Sequence, residues 1–184
     1  MRNVEAKFAL PSLAAAAAAA TAIGFLRHSA FTQVDTFFAV PHGRLKLREE
    51  PGRAALIHYR RRAQGPLQLS DYDIVSVADA PPLRALLTAA LGRLAEVRKH
   101  RTLLLRRNIR LHLDQVERLG AFGELEAVLA PDSSPDDAAA EVRGILATLG
   151  VVALIEKSYF EMLAERAGAP SPSAPNSSRR RVKW

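Results

Sequence analysis

Charged side chains recur at every second position in five short segments of this chain. Asn3, Glu5 and Lys7 alternate with Val4, Ala6 and Phe8, and Arg44, Lys46 and Arg48 alternate with Leu45 and Leu47. Lys99 and Arg101 share a phase. Arg110, His112 and Asp114 alternate with Ile109, Leu111 and Leu113, and Glu124 and Glu126 flank Leu125. In an extended strand residues i, i+2 and i+4 point to one face, so each segment sets its polar groups against an apolar opposite side. Lys7, Lys46, Arg48, Lys99 and Arg101 are donors that can grip phosphate oxygens. Glu5, Asp114, Glu124 and Glu126 offer hard oxygen ligands for Mg²⁺ or Mn²⁺. A basic ring beside an acidic cluster is what a metal-bound polyphosphate needs. Two arrangements satisfy the alternation: an antiparallel sheet with a solvated polar face, or a sheet curled until that face lines a tunnel. Spacing alone leaves both open.

The elements that must position these groups are bounded by composition. At 184 residues, 48% hydrophobic and 24% charged, the chain suffices for one domain with a core and is neither wholly disordered nor collagen-like. The formal net charge is +7, but Gly168–Trp184 holds Arg179, Arg180, Arg181 and Lys183 and no acid. More than half of the excess therefore belongs to the tail and says little about the body's partner. With no cysteine, a disulfide scaffold, thiolate zinc, iron–sulfur ligation and a Cys nucleophile are all excluded. The same absence fits a reducing compartment, and the cytoplasm is the expected location.

The N-terminus imitates a secretory signal, with Arg2 and Lys7 ahead of Ala14–Ala20 and Ile23–Leu26. Glu5 interrupts the basic region, however, and alanine is weakly hydrophobic but the best helix former. The run is also too short to span a bilayer. It predicts a soluble helix over Leu13–Leu26, capped by Ser12 and closed by Arg27 and His28. Beyond it, Gln33–Val40, Arg44–Glu50, Ala54–Arg62 and Tyr72–Val77 read as antiparallel strands broken at Pro41-His42-Gly43, Pro51-Gly52 and Gly65-Pro66. Pro81 and Pro82 open a helix that Gly92 ends. Leu94–Arg107, Asn108–Val116 and Glu124–Leu129 read as strands, and Pro135–Leu149 and Ser158–Ala167 as helices. The class is α+β, in two parts: a folded body over 1–167 and a disordered basic Pro/Ser-rich tail over 168–184.

In this order the motifs resemble the CYTH domain, the fold shared by class IV adenylate cyclases and thiamine triphosphatases, which are triphosphate tunnel metalloenzymes. Asn3-Val4-Glu5-Ala6-Lys7 matches an opening E-x-E-x-K strand. Asp35-Thr36-Phe37-Phe38 matches an aspartate–threonine–aromatic segment, and Arg44-Leu45-Lys46-Leu47-Arg48 a basic strand. Further matches are Val97, Lys99 and Arg101; Arg110, His112, Leu113 and Asp114; Gly120, Phe122, Glu124, Leu125 and Glu126; and a closing Ser158-Tyr159. The resemblance runs from Arg2 to about Leu163.

It implies a closed or nearly closed eight-stranded antiparallel β tunnel, open at both ends, with helices packed outside and a Mg²⁺ or Mn²⁺ ion holding a triphosphate within. Glu5, Glu124 and Glu126 would be metal ligands, with Asp114 a further carboxylate of the catalytic set. Lys7, Lys46, Arg48, Lys99 and Arg101 would bind phosphate. Arg61, with its neighbours Tyr59 and Arg60, lies in the strand where other members place another cation, and Lys157 lies near a C-terminal basic position. The implied reaction is conversion of ATP to cyclic AMP and pyrophosphate. The alternatives are hydrolysis of inorganic, thiamine or nucleoside triphosphate, and a non-catalytic nucleotide- or polyphosphate-binding module. Phe37, Phe38 and Tyr59 are aromatic candidates for contact near the tunnel. The implied partner is a triphosphate-bearing small molecule rather than a nucleic acid or a membrane, and a homodimer is left open. Asn3 departs from the pattern, since an amide stands where the first glutamate should be, which puts a two-metal arrangement in doubt. His112 matches the motif but reads as a strand-packing residue. His28, His42, His58 and His100 match nothing.

Overall fold

The computed structural model describes residues 1–64 and 66–168. The expected tail lies outside the described residues, apart from Gly168. The strands are β1 (Arg2–Ala9), β2 (Leu26–Phe38), β3 (Arg44–Glu50), β4 (Arg53–Gln64), β5 (Leu67–Val77), β6 (Arg93–Arg106), β7 (Ile109–Val116) and β8 (Gly120–Val128). They close into one barrel in the order β1-β5-β4-β3-β2-β6-β7-β8, every neighbouring pair antiparallel. Closure removes the unpaired edges that an open sheet would expose. The helices are α1 (Leu13–Ala22), α2 (Ala80–Leu91), α3 (Pro135–Thr148) and α4 (Tyr159–Arg166). Among the described residues no helix is long and apolar enough to cross a membrane.

The barrel is inverted relative to a small soluble barrel, with its apolar side out and its charged side in. Val4, Ala6 and Phe8 of β1, Ile109, Leu111 and Leu113 of β7, and Leu125 and Ala127 of β8 face outward. There they are buried with Ala138, Ala139, Val142, Ile145 and Leu146 of α3 and Ala20 of α1. Alanine suits α1, because its small side chains let the helix lie close to the sheet. Ser12 caps that helix by accepting from the Ala15 amide. On the other flank, α2 lays Leu83 and Leu87 over Phe38 and Leu47. On β4 and β5 the phase inverts. Ile57, Tyr59, Tyr72 and Ile74 line the lumen, while the solvent side carries Arg60, Arg62, Asp71 and Asp73, with Arg62 donating to Asp71. Among the described residues no helix covers this Arg60–Arg62 and Asp71–Asp73 stretch of the wall, so its outer face is polar.

Two expectations are corrected. The first helix stops at Ala22 rather than Leu26, because Gly24 at φ +89 turns the chain and Phe25 is fully buried. Leu26–Thr32, with Arg27 and His28, belongs instead to β2, which pairs along β6. Second, the barrel is not wide open at both ends, because a helix covers one of them. α4 lies across the end where β7 turns into β8, and Tyr159 and Phe160 pack on the inward residues Phe37, Val97 and Phe122. A capping box at Ser158 and Glu161 starts the helix there, and Arg44 of β3 donates to Glu161 at 2.5 Å.

Candidate functional site

The lumen is polar because every inward phase except that of β5 carries charge. Lys7, Lys46, Arg48, Arg61, Lys99, Arg101 and Arg110 line it, together with the carboxylates Glu5, Asp35, Glu124 and Glu126. The cavity they surround encloses about 830 Å³ of space, its open mouth included. Seven cations against four carboxylates leave an excess of positive charge for a polyanion.

Two buried aspartates organise the cations. Asp35 faces Arg48 across the β2–β3 ladder. It accepts from Arg48 Nε at 2.8 Å, Arg48 Nη2 at 3.0 Å, Lys46 Nζ at 3.0 Å and Gln33 Nε2 at 3.1 Å. Asp114 faces Arg101 across β6–β7. It accepts from Lys99 at 2.8 Å, from Arg101 at 2.7 and 2.6 Å, and from the Tyr159 hydroxyl at 3.1 Å. Burial raises the proton affinity of both carboxyls, but the cations overcome it. Arg48 and Lys46 hold Asp35, and Arg101 and Lys99 hold Asp114, far below the usual carboxylate range. Asp114 is fully buried, and its oxygens are spent on donors, so it orients Lys99 and Arg101 rather than facing the lumen.

The remaining acids form a cluster. Glu5 lies opposite Glu126 and Lys7 opposite Glu124 across β1–β8. Glu124 meets Arg101 at 2.5 Å, Lys7 at 3.3 Å and Lys99 at 3.8 Å, and Glu5 meets Arg61 at 2.6 Å. Burial and the opposing Glu5 push the Glu126 carboxyl upward. His112 Nδ1 stands 3.5 Å from Glu126 Oε1 and 4.0 Å from Glu124 Oε2. Burial, reinforced by Arg101, holds the imidazole well below its usual value, so the ring is neutral, and among the described residues Nδ1 lacks a hydrogen-bond partner. One ligand atom from each of His112, Glu124 and Glu126 falls within 4.8 Å of the others. Crowded carboxylates beside an unpartnered neutral imidazole fit a divalent cation, which would relieve the repulsion and use the free nitrogen.

Of the residues expected at the site, Glu5, Lys7, Lys46, Arg48, Arg61, Lys99, Arg101, Glu124 and Glu126 converge on one lumen, with Asp114 directly behind it. Lys157 lies apart: it is exposed and pairs with Glu165 at 2.7 Å, and its backbone carbonyl accepts from Lys7 Nζ at 3.2 Å. Phe37 and Tyr59 line the lumen, whereas Phe38 points outward under α2. Besides Arg110, which shares the inward phase of His112 and Asp114, three participants were not named as site residues from the sequence. Asp35 and Tyr159 sit in recognised motifs, but their partners depend on strand register and on the docking of α4. His112 shares the phase of Asp114, which was the available signal. Tyr159 also places its ring 3.9 Å from Lys7 Nζ and 4.8 Å from Lys99 Nζ, which marks the closed end of the lumen.

Comparison with known proteins agrees with this fold. The family model of the CYTH domain matches residues 1–159. No curated protein matches the sequence at a significant level. A Pyrococcus horikoshii protein superposes with a TM-score of 0.77 at 18% identity, covering 86% of this chain and 98% of its own. A candidate adenylate cyclase from Vibrio parahaemolyticus gives 0.72 at 17%, covering 88% and 97%. A candidate adenylyl cyclase from Hippeastrum, whose dominant activity is that of a triphosphatase, gives 0.61 at 17%, covering 92% and 98%. At these identities the superpositions establish the fold.

Proposed function

The chain belongs to the CYTH domain family, and from that premise we propose that it is a divalent-metal-dependent enzyme that converts a nucleoside triphosphate, ATP in the first instance, to a cyclic nucleotide and pyrophosphate. The observation that carries this reading is the order of groups along the lumen. Lys7 and Lys99 lie beside Tyr159 at the end closed by α4. Glu5 and Glu126 lie one inward step from Lys7 and Glu124 toward the other mouth, where Arg110 and Ile74 are exposed, and His112 faces Glu124. A triphosphate entering by that mouth with its free end leading sets its terminal phosphates among Lys7, Lys99 and Arg61. The phosphorus bonded to the organic group then lies beside the carboxylates.

Glu124, Glu126 and His112 would hold the cation, with Glu5 beside them. Bound there, Mg²⁺ or Mn²⁺ would neutralise charge on the phosphate oxygens. Lys46, Arg48, Lys99 and Arg101, held in place by Asp35 and Asp114, keep their donors aimed at the phosphates without reorganisation during the reaction. Glu5 engages Arg61 through Oε1, which leaves Oε2 to accept the proton of the attacking hydroxyl.

Hydrolysis of the terminal phosphate is the second reading. A narrow opening lined by Glu5, Lys7, Arg61, Gln68, Glu124 and Glu156 would admit water to the deep end, and the similar Hippeastrum protein is dominated by triphosphatase activity. Phosphorus NMR with Mg²⁺ or Mn²⁺, supplied separately with ATP, inorganic triphosphate or thiamine triphosphate, decides between them. Pyrophosphate with cyclic AMP supports the cyclase. Orthophosphate with a diphosphate, or pyrophosphate from inorganic triphosphate, replaces it with the triphosphatase. Binding without turnover of any substrate leaves a binding module and overturns both.

A further inference from the structure

Two polar atoms of the lumen have no role among the phosphate donors or the acidic cluster. Asn3 and Ser70 face each other across the β1–β5 ladder. Both line the cavity, and they are only 5% and 3% exposed. Among the described residues neither Asn3 Oδ1 nor Ser70 Oγ has a hydrogen-bond partner. A buried polar atom left unpaired is costly, so two on directly opposed residues call for a common cause. Their position is defined by register: Asn3 lies one inward step beyond Glu5, away from Lys7 and the plug, and Ser70 precedes Tyr72 and Ile74 on the same face of β5.

The chemistry of the pair narrows its ligand. An amide oxygen only accepts, so it gives nothing to an ionised phosphate. A serine hydroxyl both donates and accepts. Together they suit a neutral group that can donate to Asn3 and exchange a bond with Ser70, and a hydroxyl does both. Tyr72, Ile57 and Ile74 supply an apolar and aromatic wall next to it, which phosphates do not use but a ring would. Resting on the functional reading above, we propose that Asn3 and Ser70 form a neutral subsite for a sugar hydroxyl. The substrate is then a nucleoside triphosphate, recognised over inorganic triphosphate by its organic part.

Calorimetry in EDTA, where turnover is suppressed, tests this with the full chain, using ATP, 2′-deoxy-ATP, 3′-deoxy-ATP and inorganic triphosphate as probes. Ser70→Ala and, separately, Asn3→Ala should each weaken ATP about five- to tenfold, the worth of one hydrogen bond, and leave inorganic triphosphate unchanged. One of the two deoxy nucleotides should bind the wild type as weakly as ATP binds the variants and should lose little further affinity to either substitution. Ser70→Ala removes an unpaired hydroxyl and keeps the fold, so its result stands even if Asn3→Ala is poorly folded. Equal losses for ATP and inorganic triphosphate, or no loss for ATP, overturn the subsite. So does a loss of Mn²⁺ binding measured without nucleotide, which would make Asn3 a metal ligand. If neither ATP nor inorganic triphosphate binds the wild type, the tunnel reading itself falls; if both bind and their ratio is unmoved by the variants, only the subsite falls.

Discussion

His112 and Lys7 illustrate how burial sets chemistry one residue at a time. The imidazole is kept neutral by desolvation with Arg101 nearby, so its lone pair is free at a pH where an exposed histidine would be partly protonated. An imidazole beside two carboxylates moves a hard oxygen site toward Mn²⁺ and away from Mg²⁺. Replacement by leucine should weaken Mn²⁺ binding at least tenfold, by analogy with losses at metal sites, and narrow the preference for Mn²⁺ over Mg²⁺. Electron paramagnetic resonance of free Mn²⁺ over the substrate-free protein reads this directly, and an unchanged Kd would remove His112 from the ligand set. Lys7 is pulled down to about 8, chiefly by burial and despite the attraction of Glu124. Between about 8 and the ordinary 10.5 the unfolded chain holds a proton that the folded one has released, so stability rises with pH across that window. Triphosphate affinity moves the other way, because the phosphates need the ammonium. Metal-free calorimetry at pH 7 and pH 9.5 should show a loss on the order of tenfold, and Lys7→Met should flatten it. An equally steep loss in the variant would assign the titration elsewhere.

At the scale of elements, α4 couples the end of the chain to the site. Ser158 accepts from the Glu161 amide and donates to its carboxylate, which also accepts from the Ser158 amide. The helix so started carries Tyr159 onto Asp114. Ser158→Ala should cost about 1 kcal/mol, a fall in Tm of roughly 2–4 °C for a chain of this size, and should speed limited proteolysis within 151–168. Cleavage at the wild-type rate would mean that the cap does not hold the plug. A helix beginning at Ser158 was legible in the sequence, and so were β3 and β7, whose strict alternation survives in the barrel. The start of β2 was not, because Leu26–Thr32 shows no alternation and follows an alanine run that continues the helical pattern until Gly24 interrupts it. Nor was the reversed phase of β4 and β5, where the inward side is the less charged one. Glu5, Glu124 and Glu126 could be placed on one face from spacing. Asp35 could not, because its function consists of facing Arg48, and register between strands that are separate in sequence is a property of the closed sheet.

For the whole molecule, closure makes ligand binding and stability one question. The cations of the lumen come from β1, β3, β4, β6 and β7, so a bound triphosphate ties strands around the ring and must leave before the barrel opens. Until it binds, the cations are held by carboxylates of the same lumen, as Arg61 is by Glu5 and Arg101 by Glu124, and burial with the Glu5 repulsion keeps the Glu126 carboxyl raised. A triphosphate with its cation exchanges these pairings for stronger ones without moving the wall. At a hundred times its Kd, such a ligand stabilises by about 2.7 kcal/mol, equivalent to roughly 5–10 °C in Tm. Mn²⁺ with inorganic triphosphate should reach this shift, orthophosphate should not, and Glu126→Gln should lose the part contributed by Mn²⁺ while retaining the part due to triphosphate alone. A full Mn²⁺ response in that variant would place the cation somewhere other than the acidic cluster. A triphosphate effect no greater than that of orphosphate-sized anions would mean that the ring of cations is not engaged as a unit.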